Sequence, residues 1–283
     1  MKRYNIDLSD KIVAITGAAG AICSSFSREL AAVGAKIALI DINLEGAEKV
    51  AESIRAAGGY ARAYKADVLD RASLEAVRQA ITQEIGPVNM LINGAGGNSP
   101  KATTDKEYYF PGDAADEGVK SFFDLEGGAI GRLFDLNFTS ILLTTQVFSK
   151  DMAESGKGGV IINISSMNAF RPLTKIPAYS AAKAAVSNFT EWLAVHFAGA
   201  GIRVNALAPG FFVGNQNRGL LYNEKGELTE RSHKIISHTP MGRFGELDEL
   251  TGTLLWLSDD EFSGFVTGIV VPVDGGFSAY SGV

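Results

Sequence analysis

Several residue types are scarce in this chain of 283 residues, and each scarcity argues against a particular kind of bond, site or segment. Cys23 is the single cysteine, so no internal disulfide can form, which favours a reducing compartment. The three histidines (His196, His233 and His238) show no ligand spacing with carboxylates, so we expect no metal ion. No apolar run approaches the about 20 residues that cross a bilayer, and the N-terminal segment lacks the apolar core of a signal sequence.

Basic clusters are also missing. The net charge is −6 and no block of Lys and Arg occurs, which argues against nucleic acid or an anionic membrane as a partner. With 46% hydrophobic residues the chain can nevertheless bury a large core. We therefore expect a cytoplasmic protein whose partner is a small molecule.

Apolar strand patterns and amphipathic helix patterns alternate without a linker or repeat from Lys11 to Gly276. This alternation predicts an α/β fold with one domain over 1–283: a Rossmann-like, doubly wound parallel sheet of about seven strands with helices on both faces. Two polar segments interrupt the pattern. We interpret 97–130 as a substrate loop and 211–240 as a lid over the carboxyl ends of the strands.

The first strand runs into a glycine turn over 16–20 and a helix, and the next strand, 35–40, ends on Asp41. Backbone N–H groups at the start of such a helix suit a pyrophosphate. Asp41 lies 24 residues after Gly17, where a carboxylate can bind the diol of a ribose. The same carboxylate would repel a 2′-phosphate, so NAD is favoured over NADP.

A second informative stretch begins with the buried-strand pattern Val160–Ile164 and ends in hydroxyls, including Ser166. The helix that follows carries Tyr179 and Lys183, which share one face because they are four residues apart. A cation beside a phenol lowers its pKa, and such a phenol can exchange a proton with an alcohol oxygen. Tyr-x-x-x-Lys alone is a weak signal, but the serine thirteen residues before the tyrosine makes it strong.

Together these residues resemble the active-site signature of the short-chain dehydrogenase/reductase family. The resemblance implies that Tyr179 is the acid/base, that Lys183 lowers its pKa and grips the nicotinamide ribose, and that Ser166 binds the substrate oxygen. It also implies that Asn137, 29 residues before Ser166, completes a proton relay through a water held near the lysine. A homotetramer is implied by resemblance alone.

The family pattern also implies a set of cofactor-binding residues: Gly17, Ala19, Ala21, Ile22, Asp41, Asp67, Val68, Asn93, Gly94, Ala95, Tyr179, Lys183, Pro209, Gly210, Phe212 and Val213. The chain departs from the pattern where Ala21 and Cys23 replace glycines. Gly214 also stands where a threonine is usual, which leaves the carboxamide contact to the Val213 backbone or to Asn215. A reactive thiol is one interpretation of Cys23, and a small packing residue is the favoured one. Asp67 could equally form a turn.

Polar and cationic residues near the expected active site point to a hydroxylated anion such as a sugar acid, because arginine binds carboxylates with two hydrogen bonds. The candidate substrate-binding residues are Asn98, Ser166, Asn168, Arg171, Tyr179 and Arg218. For each arginine, a solvated surface position is about as plausible as a substrate contact.

The segments 165–175 and 209–212 resemble the D-mannonate oxidoreductase subgroup, also called fructuronate reductase, and Cys23 fits that subgroup too. The resemblance implies interconversion of D-fructuronate and D-mannonate with NAD. Two alternatives stay open: another short-chain dehydrogenase acting on gluconate or a related polyol or keto acid, and a non-catalytic NAD-binding sensor.

Overall fold

The computed structural model describes residues 5–214 and 218–282. Its strands are short, apolar and buried in the middle of the molecule: β1 (Ile12–Thr16), β2 (Lys36–Asp41), β3 (Tyr60–Lys65), β4 (Met90–Asn93), β5 (Gly159–Ile164), β6 (Ile202–Pro209) and β7 (Val270–Val273). They form one sheet in the order β3-β2-β1-β4-β5-β6-β7, and every neighbouring pair is parallel. The predicted seven-stranded, doubly wound sheet is confirmed.

Helices connect consecutive strands across the two faces of the sheet: α1 (Ala21–Ala32), α2 (Leu44–Ala56), α3 (Arg71–Glu84), α4 (Gly127–Phe134), α5 (Ser140–Ser155), α6 (Pro177–Phe197), α7 (Arg218–Leu221), α8 (Glu230–Ser237), α9 (Thr251–Ser258) and α10 (Asp260–Ser263). Among the described residues, no helix combines the length and apolarity needed to cross a membrane.

The sheet separates two hydrophobic clusters, because successive strand residues point to opposite faces. Val13 and Ile15 pack with α1, α2 and α9, whereas Ala14 packs with α3, α5 and α6. Both faces of the central strands are therefore buried, which explains their nearly continuous apolar sequences.

The sequence of 131–150 predicts one regular helix, whereas the structure has a longer and less regular one. It begins at Gly127 and continues to Ser155, and a π-helical turn over Asp135–Thr139 joins α4 to α5. Such a turn inserts one extra residue. Within it the Asn137 amide donates to the Leu133 carbonyl at 2.9 Å, so a buried side chain fills part of the widened turn.

The segment 97–126 is ordered as a strap with three short 3₁₀ turns, Pro100–Ala102, Asp113–Ala115 and Phe122–Asp124, and the last four residues of the predicted loop, 127–130, belong to α4. Ala102 is fully buried in a small cluster with Leu133, Ala178 and Ala182. The strap is thereby packed against α6, the helix that carries Tyr179.

Candidate active site

The sheet has its topological switch point at β1, which pairs with β2 on one side and with β4 on the other. Crevices in open α/β sheets form outside the carboxyl ends of the strands at such a point. Most of the predicted site residues follow β1, β2, β4, β5 or β6, so the fold brings them to the same edge of the sheet.

The glycine turn after β1 is shaped for close backbone approach. Gly17 has φ +67°, and a Cβ at this position would lie 2.8 Å from the Ala95 backbone, so a larger residue would not fit. The following helix begins at Ala21 with no side-chain cap among the described residues and no acidic residue in its first turn. Its first N–H groups can therefore bind an anion, which fits a dinucleotide pyrophosphate.

Cys23 fills the space between the start of α1 and the turn after β4. It is 3% exposed, and a Cβ on Gly94 would overlap its Sγ atom. Burial raises the pKa of the thiol to about 12, so it stays protonated at neutral pH. These contacts favour the packing interpretation of Cys23.

The two aspartates after β2 and β3 both hold turns. Asp41 accepts hydrogen bonds from the backbone N–H groups of Ala19 at 2.9 Å and Asn43 at 2.8 Å, which ties the glycine turn to the end of β2. Asp67 accepts one from Leu69 N–H at 2.9 Å. Asp67 therefore does form a turn, and Val68 beside it is buried.

Asn93 is one of the predicted cofactor-binding residues, but its side chain points away from the crevice. Its amide donates to Thr145 at 3.0 Å and to Asn163 at 2.9 Å, and its oxygen accepts from Thr144 at 2.5 Å. A buried amide requires such partners. Only the backbone of Asn93 is left for a cofactor, whereas Thr16 receives the Gly94 N–H at 3.1 Å.

The catalytic candidates lie together at the ends of β4 and β5. The Ser166 hydroxyl lies near the Tyr179 phenol, where it acts to lower the pKa of the phenol. The Lys183 ammonium lies 5.7 Å from the centre of the Tyr179 ring and donates to the Ile164 carbonyl at 2.9 Å. Ser166 and Lys183 are buried, at 8% and 4% exposure.

The pKa values of Tyr179 and Lys183 are both shifted, and that of Tyr179 moves opposite to the prediction. Burial raises the pKa of Tyr179 above its ordinary value, and only the Ser166 hydroxyl opposes this. The predicted lowering by Lys183 is not found, because the ammonium is directed to the Ile164 carbonyl. Burial also lowers the pKa of Lys183 to about 8, since a desolvated ammonium is destabilised.

Asn137 joins this group from the π turn. It is fully buried, its amide donates to the Gly97 carbonyl at 2.8 Å, and its oxygen accepts from Gly97 N–H at 3.0 Å. A Cβ on Gly96 would lie 2.7 Å from the Asn137 oxygen and 3.4 Å from the Lys183 nitrogen. The asparagine and the lysine are therefore near neighbours, as the family pattern predicts.

Apart from Ser166 and Tyr179, the substrate candidates are one buried residue and three exposed ones. Asn168 is 5% exposed, and its Oδ1 has no hydrogen-bond partner within the described part of the chain. Asn98 is exposed and donates to Thr103. Arg171 is exposed and donates to the neighbouring Phe170 carbonyl. Arg218 is exposed and lies over the Tyr222 ring at 5.2 Å.

The segment after β6 passes over the site as a well-packed chain. Gly210 donates to the Val273 carbonyl at 2.9 Å, and Phe212 is buried against Gly245. The Phe212 side chain belongs to the core, so only its backbone remains for the predicted cofactor contact. Val213 is half-buried. The alternative carboxamide partner, Asn215, lies outside the described residues.

A family model for short chain dehydrogenases matches residues 11–223, and the matched region contains every catalytic candidate. The chain belongs to the short-chain dehydrogenase family. Membership confirms the predicted family and an oxidoreductase acting on alcohol groups.

Several relatives of this short-chain dehydrogenase are similar over nearly their full length. An uncharacterised oxidoreductase of Haemophilus influenzae is 56% identical, covering 99% of this chain and 97% of the relative. The uncharacterised oxidoreductase UxuB of Bacillus subtilis is 54% identical, with 98% of each covered. A Haemophilus crystal structure with bound NAD carries the provisional name D-mannonate oxidoreductase; it is 55% identical with a TM-score of 0.93, and 99% of each chain is covered.

A more distant structure is a gluconate 5-dehydrogenase of Burkholderia cenocepacia with NADP and tartrate. It is 29% identical with a TM-score of 0.81, and the alignment covers 97% of this chain and 98% of the other.

Two contacts of the strap in this short-chain dehydrogenase have no signal in the sequence. Glu107 forms an ion pair with Lys234 of α8, 127 residues further along the chain. Thr104 N–H donates to the carbonyl of Lys175 at 2.9 Å, and Lys175 has the left-handed φ of +71°. Both contacts join segments that are remote in sequence, which local patterns cannot reveal.

Proposed function

We propose that this short-chain dehydrogenase uses NAD(H) to interconvert D-fructuronate and D-mannonate. The catalytic residues of the proposal are Asn137, Ser166, Tyr179 and Lys183. Its central observation is Asn168, two residues after Ser166, whose buried amide oxygen has no hydrogen-bond partner among the described residues. A buried acceptor of this kind needs a donor, and a hydroxyl of a polyol substrate supplies one.

Several further observations support a sugar acid. The subgroup resemblance and the similar Haemophilus structure both name D-mannonate. Asn98, Arg171 and Arg218 offer polar or cationic groups on the strap, the loop after β5 and the lid. In the proposal an arginine of this group binds the substrate carboxylate, while Asn168 and Ser166 bind hydroxyl and carbonyl oxygens.

The proposed cofactor is NAD, which the Haemophilus structure contains. Gly17, Ala19, Ala21 and Ile22 would hold its pyrophosphate at the open helix start. The remaining contacts follow the family pattern: Asp41 to the adenosine ribose, Asp67 and Val68 to the adenine, the backbone of 93–95 to the ribose, and 209–213 beside the nicotinamide. Bound NADH supplies the hydride for reduction.

The residues of the chain then perform the proton chemistry. Ser166 donates its hydrogen to the substrate carbonyl oxygen and fixes its position. The Tyr179 phenol, whose pKa is raised by burial, is protonated at neutral pH and donates to the developing alkoxide. The Lys183 ammonium stabilises the resulting phenolate, and Asn137 orders the route by which the phenol regains a proton.

The direct test is turnover of D-fructuronate by the purified chain, followed by loss of NADH absorbance. Tyr179→Phe should abolish turnover while NADH still binds. Asn168→Leu should raise KM for D-fructuronate about tenfold, corresponding to one lost hydrogen bond to a buried group, with NADH affinity unchanged. A KM unaffected by this substitution would contradict the role of Asn168.

A substrate panel separates the alternatives. Preference for 5-keto-D-gluconate would favour the gluconate-type enzyme, which the similarity to the Burkholderia dehydrogenase supports. Tight NADH binding without turnover of any ketone would favour a sensor. The proposal also includes a substrate-loop role for 97–130, a lid role for 211–240, a cytoplasmic homotetramer, and no resident metal.

A further inference from the structure

The strap encloses a cavity of about 260 Å³ against the loop that precedes α6. Leu173, Lys175 and Pro177 form one wall, and strap residues form the other. Ser166, Tyr179 and Lys183 are not among the described residues that line it, so it is separate from the catalytic candidates. Its volume lies just below the about 300–1,000 Å³ of sites for drug-sized ligands, which suits a smaller molecule.

The cavity carries an excess of positive charge. Its carboxylates are already neutralised: Asp113 pairs with Lys106 at 2.6 Å, and Glu107 pairs with Lys234 outside the cavity. Lys120 donates to the Pro100 carbonyl at 2.8 Å, a neutral partner, and Lys175 has no ion pair within the described chain. Two lysines that line this cavity therefore have no ion pair among the described residues.

Lys175 is held in place by its backbone. Its left-handed φ of +71° is unusual for a residue with a side chain, and the hydrogen bond from Thr104 to its carbonyl anchors it to the strap. The side chain is half-buried, so its charge is less screened than that of a surface lysine. The backbone of Lys175 is thus held in a conformation that costs energy, as residues in binding sites commonly are.

Aromatic rings complete the lining. Tyr108, Tyr109 and Phe122 are 51–69% exposed although they line the cavity, and Tyr109 and Phe122 each pack edge-on against Phe123. Preorganised rings with open faces suit the C–H faces of a sugar, and the Thr104 and tyrosine hydroxyls suit its oxygens. Rings, hydroxyls and two unpaired cations together match a carboxylate that carries several hydroxyl groups.

We propose that this cavity is a second binding site, outside the catalytic crevice, for a hydroxylated carboxylate anion held by Lys120 and Lys175. The choice of this ligand class rests on the proposed function, but the site itself does not. Pro177 is both a lining residue and the first residue of α6, so a bound anion would brace the helix that carries Tyr179.

Thiol labelling tests the proposal directly, because Cys23 is buried and protonated and leaves the folded chain almost unreactive. Leu173→Cys places the only accessible thiol in the cavity wall. The full-length chain with Tyr179→Phe, which prevents turnover, is treated with a maleimide at increasing concentrations of D-gluconate. Uncharged sorbitol is the control ligand.

The expected result is saturable protection of the thiol by D-gluconate and none by sorbitol. Adding Lys175→Met or Lys120→Met should weaken apparent gluconate binding about tenfold or more, since each removes a charged hydrogen-bond donor. The matched control Lys101→Met, on the strap but outside the cavity, should leave protection unchanged.

Equal protection by gluconate and sorbitol, no protection by gluconate, or protection insensitive to Lys120 and Lys175 would each overturn the proposal. These outcomes are independent of the assigned reaction. If the chain reduces D-fructuronate but gluconate gives no anion-specific protection of the thiol, only the cavity site is refuted. A chain with protection but no turnover refutes the reaction alone.

Discussion

Lys183 is a buried residue whose charge serves the proposed catalysis but lowers the stability of the fold. Its pKa is about 8 in the folded chain and 10.5 ordinarily, so the charged form is disfavoured by folding. Below pH 8 the buried ammonium lowers the free energy of unfolding. Between about pH 8 and 10.5 the folded chain has lost this proton while the unfolded chain keeps it, so this group makes stability rise with pH.

We predict that Lys183→Met abolishes turnover yet raises the free energy of unfolding at pH 7 by about 2 kcal/mol. The gain from removing a buried charge is reduced by the loss of a donor to the Ile164 carbonyl. Urea unfolding at pH 7 and pH 10 provides the measurement, and the variant's advantage should shrink at the higher pH. A variant less stable than the parent at pH 7 would refute the argument.

Cys23 and Gly94 form a second residue-scale pair. Gly94→Ala should lower the free energy of unfolding by about 2 kcal/mol or more, because the added methyl overlaps the cysteine sulfur in a buried contact. In a Cys23→Gly background the same substitution should cost at least about 1 kcal/mol less. Gly127→Ala, where no atom lies within 4 Å of the added Cβ, is the matched control. Additive effects of the two substitutions would show that the residues do not interact.

These residues also show which features of the site can be predicted from the sequence and which cannot. The pattern around Tyr179 indicated side chains that the fold does bring together, because each of them follows a recognisable strand or lies on a helix face. It did not indicate that the Asn93 side chain turns into the core or that the Lys183 ammonium bonds Ile164. Side-chain direction depends on partners such as Thr145 and Asn163, which are remote in sequence.

At the scale of elements, some helical features can likewise be predicted from the sequence and others cannot. The sequence predicts a helix over 71–84 that is stopped by the following glycine and proline, and the structure has this helix as Arg71–Glu84 with Asp70 capping its start. The π turn over Asp135–Thr139 was not predicted, because its residues have ordinary helical sequences. The extra residue is retained through the buried contacts of Asn137 with Gly97, and these are tertiary.

The ion pair between Glu107 and Lys234 links the strap to α8, which lies within the proposed lid. We predict that Lys234→Glu lowers kcat/KM for D-fructuronate about fivefold, because like charges at this point favour an open lid. The double variant with Glu107→Lys should recover most of the loss. Arg231→Glu, an exposed residue on the same helix, controls for net charge.

Thermal unfolding should be nearly unchanged in all of these variants, since an exposed ion pair contributes little to stability. The decisive comparison is the double variant: failure to recover activity would show that the contact does not couple the strap to the lid.

At the scale of the whole molecule, two of the regions that expose large apolar side chains lie on α6 and after α10. Trp192 and Val195 on α6 are 56% and 80% exposed, and Phe265 after α10 is fully exposed. Exposed apolar patches commonly mark contacts between subunits. A tetramer with two-fold axes requires two kinds of symmetric contact, and these two exposed regions are candidates for them.

We therefore predict a homotetramer in which Val195→Glu breaks one contact and Phe265→Glu breaks the other. Light scattering coupled to size-exclusion chromatography should report a dimer for each single variant and a monomer for the double variant. Lys150→Glu, an exposed change outside both patches, should remain tetrameric. A single variant that stays tetrameric would remove its patch from the interface.

The order of the strands has a consequence for how the protein is made. Both edges of β1 are covered only after β4 has joined it, and the residues of β4 that pair with β1 begin at Met90. From there each new strand joins the outer edge of the last, in the order in which a ribosome delivers it. Assembly can thus proceed outward in step with translation, and β6 keeps an open edge, available for wrong pairing, until the four residues of β7 emerge.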